Sequence, residues 1–441
     1  MRRTVAEHQS AVLELLRRSW ADMPASVLDD GGSQAPLLEG LGRVLAVELV
    51  APLDLPPFAN SQMDGYALRV DPQQPAGVDS AQSTTFRVAA TIPAGVVPHA
   101  LAPGFAAPIM TGAMLPDGAN AVVPVEKALP AAFLAEDAQV ALPVPAAGTF
   151  VRARGSDVQR GSVVIPAGTL LNAAHLGLAA ALGFNTLPLK RRARVLLLTT
   201  GDEIVAPTGD AGELPPGMIF DANETLLRAS LGQASVEVAT AVIVRDDPAA
   251  LIRLLDAHLG GGPTPGGETR PGCDLVISVG GISAGAFEVV RQALGAATGS
   301  GAAGSAADVE FVSVGLQPGG PQALGTYRGV PFLGFPGNPV SAFVSFELFL
   351  RPALFSLLGA PAPRQRVVAA LEHPLSSPLG KHQIRRGVYS GPEFESAPSV
   401  REVGGESSHL LGSLAQADAL IHIPAGVTEL RHGAKVEVWL L

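Results

Sequence analysis

Between Arg194 and Leu358, apolar β-branched runs alternate with runs of helical periodicity, and this alternation constrains the fold more than any other property of the chain. Strands are expected at Arg194–Leu198, Val236–Val244, Leu275–Val279 and Val309–Val314. Helices are expected at Ala222–Leu231, Pro248–Leu259, Phe287–Leu294 and near Val340–Leu358. Such a rhythm implies an α/β fold with a doubly wound parallel sheet, whose ligands gather beyond the carboxyl ends of its strands. Residues that do chemistry should therefore cluster at those ends.

The flanking segments have a different character. Residues 5 to 18 place Val5, Val12, Leu13, Leu15 and Leu16 on one stripe of an amphipathic helix, and the polar run Asp29–Ser33 reads as a loop. Short β-like runs at Phe86–Ala89, Ala106–Met110, Ala121–Val125 and Gln139–Leu142, punctuated by Pro and Gly, suit a small all-β module. The division expected is an N-terminal mixed region of 1–50 joined with 145–190, an inserted β domain at 51–144, the α/β domain at 191–359 and a C-terminal β domain at 360–441. The Gly-rich segments Gly260–Gly272 and Gly295–Ala307 read as surface loops.

Composition narrows the function classes. With 441 residues the chain holds several domains, and a net charge of −10 argues against nucleic acid or an anionic membrane as the main partner. The single cysteine, Cys273, excludes a disulfide framework and fits a reducing cytoplasm, where it is expected buried and inert. Arg2-Arg3 is not followed by the apolar run of a secretory signal. The apolar stretch Pro339–Leu358 carries Glu347 and Arg351 four apart, which marks a buried helix with an internal ion pair.

Three loops fall at the functional edge. Thr199-Thr200-Gly201-Asp202-Glu203 puts two carboxylates at the end of the first strand, where acids can hold a hard divalent cation such as Mg²⁺ together with phosphate oxygens. Gly280-Gly281-Ile282-Ser283 ends the Leu275–Val279 strand before a helix, and its backbone N–H groups suit an anionic ligand. Gly334-Phe335-Pro336-Gly337-Asn338-Pro339 is a rigid turn into the last helix, where Asn338 and Pro339 also fit the N-cap and first helical position. Asp221 and Asn223 read as helix caps, Glu288 lies in the first turn after the glycine loop, and Asp274 opens its strand on the side away from the carboxyl ends. No catalytic triad or histidine metal pair is evident.

In order along the chain, the segments Asn60–Ala67, Met110–Ala113, Arg154–Asp157, Thr200–Glu203, Gly280–Ser283, Gly334–Ser341 and Ser408–Leu411 with Ala417–Ala419 resemble the signatures of the molybdopterin molybdotransferase family, MoeA and the gephyrin E domain. The resemblance implies a central molybdopterin-binding-like α/β domain, a C-terminal β-barrel-like domain and an elongated homodimer. It implies an enzyme of molybdenum cofactor biosynthesis that inserts molybdate into adenylylated molybdopterin and releases AMP. Mg²⁺ is the implied cofactor. The molybdopterin adenylyltransferase and acceptor molybdoenzymes are implied partners. By position it assigns Asp64, Thr111, Asp157 and Glu203 to catalysis, the first three completing the cleft of a second subunit. Gly280, Gly281, Ser283, Gly337, Asn338, Pro339 and Ser341 are assigned to the pterin nucleotide, and Asp202, Asp274 and Glu288 to the metal. For Asp274 this reverses the topological reading.

The chain departs from the pattern at one loop. Where the family carries Lys-Pro-Gly-Lys-Pro, this sequence has Gln317-Pro318-Gly319-Gly320-Pro321, and Glu288 and Arg291 stand for the usual Asp and Lys. Loss of both lysines should weaken oxyanion binding unless Arg291 or Arg154 compensates. A working transferase is the expectation carried forward. Its alternative is an altered paralogue that binds a pterin or nucleotide, or serves as a dimeric scaffold.

Overall fold

The computed structural model describes residues 2–21, 33–71, 83–207, 214–259, 272–283, 285, 288–298, 306–392 and 397–441. Of the loop expected at Asp29–Ser33 only Ser33 is described, and it begins the short strand Ser33–Pro36. The start of the helix at Phe287 and most of both Gly-rich segments lie outside these residues, while Gly295 falls in the helix Val289–Thr298 and Ala307 in a strand, not in the loop expected there.

The central domain holds a six-stranded sheet in the spatial order Glu237–Val244, Arg194–Thr200, Leu275–Val279, Val330–Phe335, Pro321–Tyr327, Ala307–Ser313. The first four strands are parallel. The last two pair antiparallel, which corrects the expectation of a wholly parallel sheet. The reason is local. Arg328 and Gly329, both at positive φ, turn Pro321–Tyr327 directly back into Val330–Phe335, leaving no length for a crossover helix. Leu275–Val279 is buried along its whole length, as its unbroken apolar run requires of a strand covered on both faces.

Helices Ala222–Gln233, Pro248–Leu259 and Val289–Thr298 and the helix Pro339–Leu358 cover the sheet. The last of these has the length and composition of a membrane span, yet 78% of that stretch is buried inside the protein. Glu347, fully buried in a π turn at Phe346–Leu350, is held by Arg364 through bonds of 2.9 and 2.7 Å, with Arg351 farther at 3.7 Å. The i,i+4 partner is therefore the weaker of two. The amphipathic helix Val5–Ala21 buries Val12, Leu16 and Trp20 in this same central core, beside Phe346 and Phe349, and not in the core of the N-terminal region that follows it in sequence.

The inserted module is a five-stranded sheet ordered Ala121–Pro124, Gly65–Leu68, Phe105–Ile109, Ser83–Val88, Gln139–Pro143. Its strand Gly65–Leu68 escapes a periodicity reading, because all four residues are buried and no polar face alternates. In the C-terminal domain the strands His382–Ser390, Ser399–Glu402, Arg366–Leu371, Lys435–Leu440 and Ala419–Ile423 close on themselves into a five-stranded barrel. Leu316–Gln317, from the central domain, adds in parallel at His382–Gln383. That pairing fixes the barrel against the functional edge of the sheet.

Candidate active site

The sheet order places Arg194–Thr200 between Glu237–Val244 on one side and Leu275–Val279 on the other, so the chain leaves this strand in opposite directions. A crevice opens at such a switch point. Here it is a cleft of about 590 Å³ lined by Thr200, Glu203, Asp246, Gly280, Gly281 and Gly337 among others.

Its floor is a junction of three strand ends. Gly280 N donates to Phe335 O at 3.0 Å and Gly201 N to Val244 O at 3.1 Å. Gly280 has φ +92°, and a Cβ there would stand 2.7 Å from Thr200 Oγ1. The backbones of Gly280 and Gly337 approach so closely that a Cβ on Gly337 would stand 3.4 Å from Gly280 Cα. A Cβ is disfavoured at Gly280, so this floor is largely main chain, and with the Gly280 and Gly201 N–H groups bonded within the sheet, those of Gly281 and Gly337 are left to meet a ligand. Asn223 secures it: Nδ2 donates to Gly337 O at 2.7 Å, and its buried Oδ1 has no partner. Of the two residues read as caps, Asp221 alone serves, accepting from Glu224 N at 2.9 Å and from Thr199 Oγ1 at 2.5 Å.

Acids form one wall. Glu203, Asp246 and Glu288 line the cleft. Asp202 stands behind them, its Oδ1 accepting from Asp246 N at 3.2 Å. Glu288 reaches back to Ser283, accepting from its N–H at 2.9 Å, which braces the glycine loop. Partial burial, with the carboxylates of Asp202, Glu203 and Glu288 nearby, raises the Asp246 carboxyl above its ordinary range. Sequence reasoning passed over Asp246, although Asp246-Asp247 follows the strand Glu237–Val244 as Asp202-Glu203 follows its neighbour. The matching position at two adjacent strand ends was the available signal.

Beside Glu203, whose carbonyl accepts from Ile219 N at 2.8 Å, lie Ile219 and Phe220, exposed to 53% and 36%, on a short strand paired with Ile204–Val205. They offer an apolar lip for a flat ring. The barrel supplies His409 and Leu411. Asn338 occupies the helix N-cap position but makes no capping bond; its Nδ2 donates instead to Ser408 Oγ at 2.9 Å. Arg386, through Ser407 O at 2.9 Å and Gly405 O at 2.5 Å, stiffens the barrel loop that reaches the cleft.

A side pocket of about 660 Å³ continues from the cleft across Ser283, Gly337 and Asn338. Ser341 and the loop Gln317–Pro321 line it. Neither arginine expected to replace the missing lysines is among its lining residues. Arg291 donates to Ile282 O at 3.3 Å and lies 4.7 Å over the Phe311 ring. Arg154 is paired with Asp54 at 2.6 Å in the N-terminal region.

The structure thus gathers Glu203, Gly280, Gly281, Ser283, Glu288, Gly337, Asn338 and Pro339 in the cleft, with Asp202 adjoining and Ser341 in the side pocket. It does not bring Asp274 there. Asp274 precedes the strand Leu275–Val279 and sits at the opposite edge of the sheet, roughly 17 Å away at about 3.3 Å per residue. It is buried, binds Arg191 at 2.9 Å, accepts from Arg194 N at 2.8 Å and receives Trp20 Nε1 on its carbonyl at 3.0 Å. A carboxylate so engaged anchors elements, and the topological reading of this residue stands against its assignment as a metal ligand. Next to it Cys273 is buried, its thiol pushed up to about 11 by burial, and so is inert.

Asp64, Thr111 and Asp157 also lie outside this chain's own cleft. Asp64 is exposed on the β module, where Thr111 N and Oγ1 donate to its Oδ1 at 2.7 and 2.8 Å. These two bonds hold its carboxyl below the usual carboxylate range. Asp157 is exposed, its backbone N–H bonded to Leu55 O at 2.9 Å.

Comparison with known proteins agrees with this architecture throughout. Residues 3–183 match the MoeA N-terminal region (domain I and II), 196–356 a probable molybdopterin binding domain, and 368–441 the MoeA C-terminal region (domain IV). The chain is 39% identical over 439 residues to molybdopterin molybdenumtransferase 2 of Mycobacterium tuberculosis, covering 99% of each. It is 34% identical over 411 residues to the molybdopterin molybdenumtransferase of Nostoc, covering 90% of this chain and 86% of that one. The crystal structure of the molybdopterin biosynthesis MoeA protein from Pyrococcus horikoshii superimposes with a TM-score of 0.71 at 27% identity, covering 100% of this chain and 99% of the other.

Proposed function

The chain belongs to the MoeA family of molybdopterin molybdenumtransferases, enzymes of molybdenum cofactor biosynthesis, and from that premise we propose that its cleft takes adenylylated molybdopterin and molybdate and yields AMP and the metal-loaded pterin. One observation carries the assignment: glycine backbone, three acids and an apolar lip line a single cleft at the carboxyl ends of the parallel strands. Backbone N–H groups suit the phosphates, the Ile219–Phe220 lip suits a flat heterocycle, and the orphaned Asn223 Oδ1 accepts an N–H from it.

Mg²⁺ fits this donor set. Among the described residues no three acids or histidines stand close enough to cage an ion by themselves. Mg²⁺ does not require that, because it takes one or two carboxylates and completes its shell with phosphate oxygens and water. Burial is the first cause of the raised Asp246 carboxyl, and the neighbouring carboxylates add a repulsion that a cation would relieve. Asp246, with Glu203 or Glu288, would hold the ion, which when bound neutralises charge on the phosphoanhydride. The protein's part is positional. Glycine N–H groups orient the phosphates, Glu288 keeps the loop in shape through Ser283, and the barrel's His409 and Leu411 limit water on one side. No protein nucleophile is needed.

Asp64, Thr111 and Asp157 enter this scheme only in a homodimer, with one subunit's N-terminal part capping the cleft of the other. A cytoplasmic site of action fits the substrates, with an adenylyltransferase as donor and acceptor molybdoenzymes as recipients. The test is incubation with adenylylated molybdopterin, Mg²⁺ and physiological molybdate. AMP release together with molybdenum incorporation is expected. Binding of the pterin nucleotide with neither product would reject the transferase in favour of the non-catalytic paralogue.

A further inference from the structure

The side pocket has kept positive charge although its loop has lost it. Gln317–Pro321 contributes one neutral amide, two glycines and two prolines, yet Arg2 and Lys381 both line the same pocket. Neither residue is near the loop in sequence. Backbone pairing brings both there.

On one flank, Arg3 forms a parallel bridge with Val314, its N–H donating to Ser313 O at 3.0 Å and its carbonyl accepting from Gly315 N at 2.7 Å. The Arg3 side chain fastens this segment through Glu310 at 2.7 Å. Arg2 is thereby delivered to the pocket mouth, with Nε 3.4 Å from Val314 O. On the other flank, Leu316 and Gln317 pair in parallel with His382 and Gln383, and His382 N donates to Gly315 O at 2.7 Å. The residue before that pair is Lys381. The hydroxyls of Ser283, Ser313, Ser341, Ser407 and Ser408 line the space between, and the carboxylate on this wall, Glu406, is within 3.5 Å of Arg385 and 3.3 Å of Gln383 Nε2.

We infer that Arg2 and Lys381 are the cations that hold the oxyanion in this chain, in place of the two lysines missing from the Gln317–Pro321 loop. The inference rests on the reading of the cleft as a molybdenum-transfer site. A guanidinium fork and an ammonium lining one pocket match a tetrahedral dianion, which can take bonds from both and from the serines at once. Because Arg2 is exposed, its attraction is screened by salt. The N-terminal residues thus have a role in oxyanion affinity that no motif discloses.

Titration of the full-length protein with molybdate and with tungstate, by calorimetry, tests this. Arg2→Ala and Lys381→Ala should each weaken binding about tenfold, the usual size of a lost charge-assisted bond, while Arg2→Lys keeps most of it. Gly320→Lys should restore affinity to Arg2→Ala, since a Cβ at Gly320 meets nothing nearer than 3.4 Å and its backbone φ is not left-handed. Unchanged binding in both alanine variants overturns the inference, and so does a loss that Arg2→Lys shares, which would mark a packing role. No binding to the unaltered chain overturns it too. Molybdate-dependent AMP release that ignores both substitutions sinks this inference and leaves the transferase intact; oxyanion binding that depends on Arg2 without AMP release does the reverse.

Discussion

Gly280 is where the site is least forgiving. A Cβ at φ +92° and 2.7 Å from Thr200 Oγ1 must either strain the backbone or displace the end of a neighbouring strand. Gly280→Ala should destabilise the protein by about 1–3 kcal/mol, read from denaturant midpoints, and should reduce AMP binding by more than that loss of folded protein explains. Asp246 gives a second test at this scale. Its raised carboxyl takes up a proton more readily than an ordinary aspartate, and protons compete with Mg²⁺ for it. Apparent Mg²⁺ affinity, measured by calorimetry with AMP present, should rise with pH through the Asp246 transition. Asp246→Asn should lower that affinity about ten- to a hundredfold and flatten its pH dependence. A pH profile identical in the variant would remove Asp246 from the metal.

Among the elements, the helix Pro339–Leu358 shows how a polar pair is built into an apolar segment. Glu347 is fully buried and Arg364 grips it with two bonds. Arg364→Ala leaves that carboxylate only the 3.7 Å contact to Arg351 and should cost about 3–5 kcal/mol, whereas Glu347→Leu with Arg364→Met should recover most of the loss. Denaturation of the single and double variants distinguishes these outcomes. The same helix shows what sequence can reveal. Its burial and the Glu347–Arg351 pair were readable, because both depend on spacing within one element. Arg364 was not, since it meets Glu347 through a chain reversal after the helix. The strands and glycine loops of the α/β domain were likewise legible from local periodicity. The antiparallel return of Pro321–Tyr327 and the five-stranded Gly65–Leu68 module depended on turns and on full burial, which leave no period. For the site, the glycine, proline and Glu203 positions followed from their place at strand ends, and Asp246 could have. Arg2 and Lys381 could not, because long-range backbone bridges alone bring them to the pocket.

For the whole molecule, two buried histidines set the acid limit of stability. His8, packed edge-on to Phe349, is pushed down to about 4, and His422, stacked near Trp439, to about 3, both by burial. Each is neutral when folded and protonates near 6.5 when unfolded. Their depressed values leave full stability above pH 6.5 and remove it as pH falls toward 4 for His8 and toward 3 for His422, at up to about 1.4 kcal/mol per pH unit each. His8→Leu should make the denaturation midpoint less steep between pH 6.5 and 4; an unaltered slope contradicts the assignment.

The proposed transfer in a homodimer requires two halves to meet. This chain's cleft supplies the glycine floor and the acid wall, while Asp64, Thr111 and Asp157 stand elsewhere on the surface. The decisive measurement is single-turnover AMP release from adenylylated molybdopterin with Mg²⁺ and molybdate, with molybdenum counted in the pterin product. AMP and molybdenum-loaded pterin should form in equal amounts, both abolished without molybdate. Pterin nucleotide that binds and is recovered unchanged, at any molybdate concentration, would contradict it.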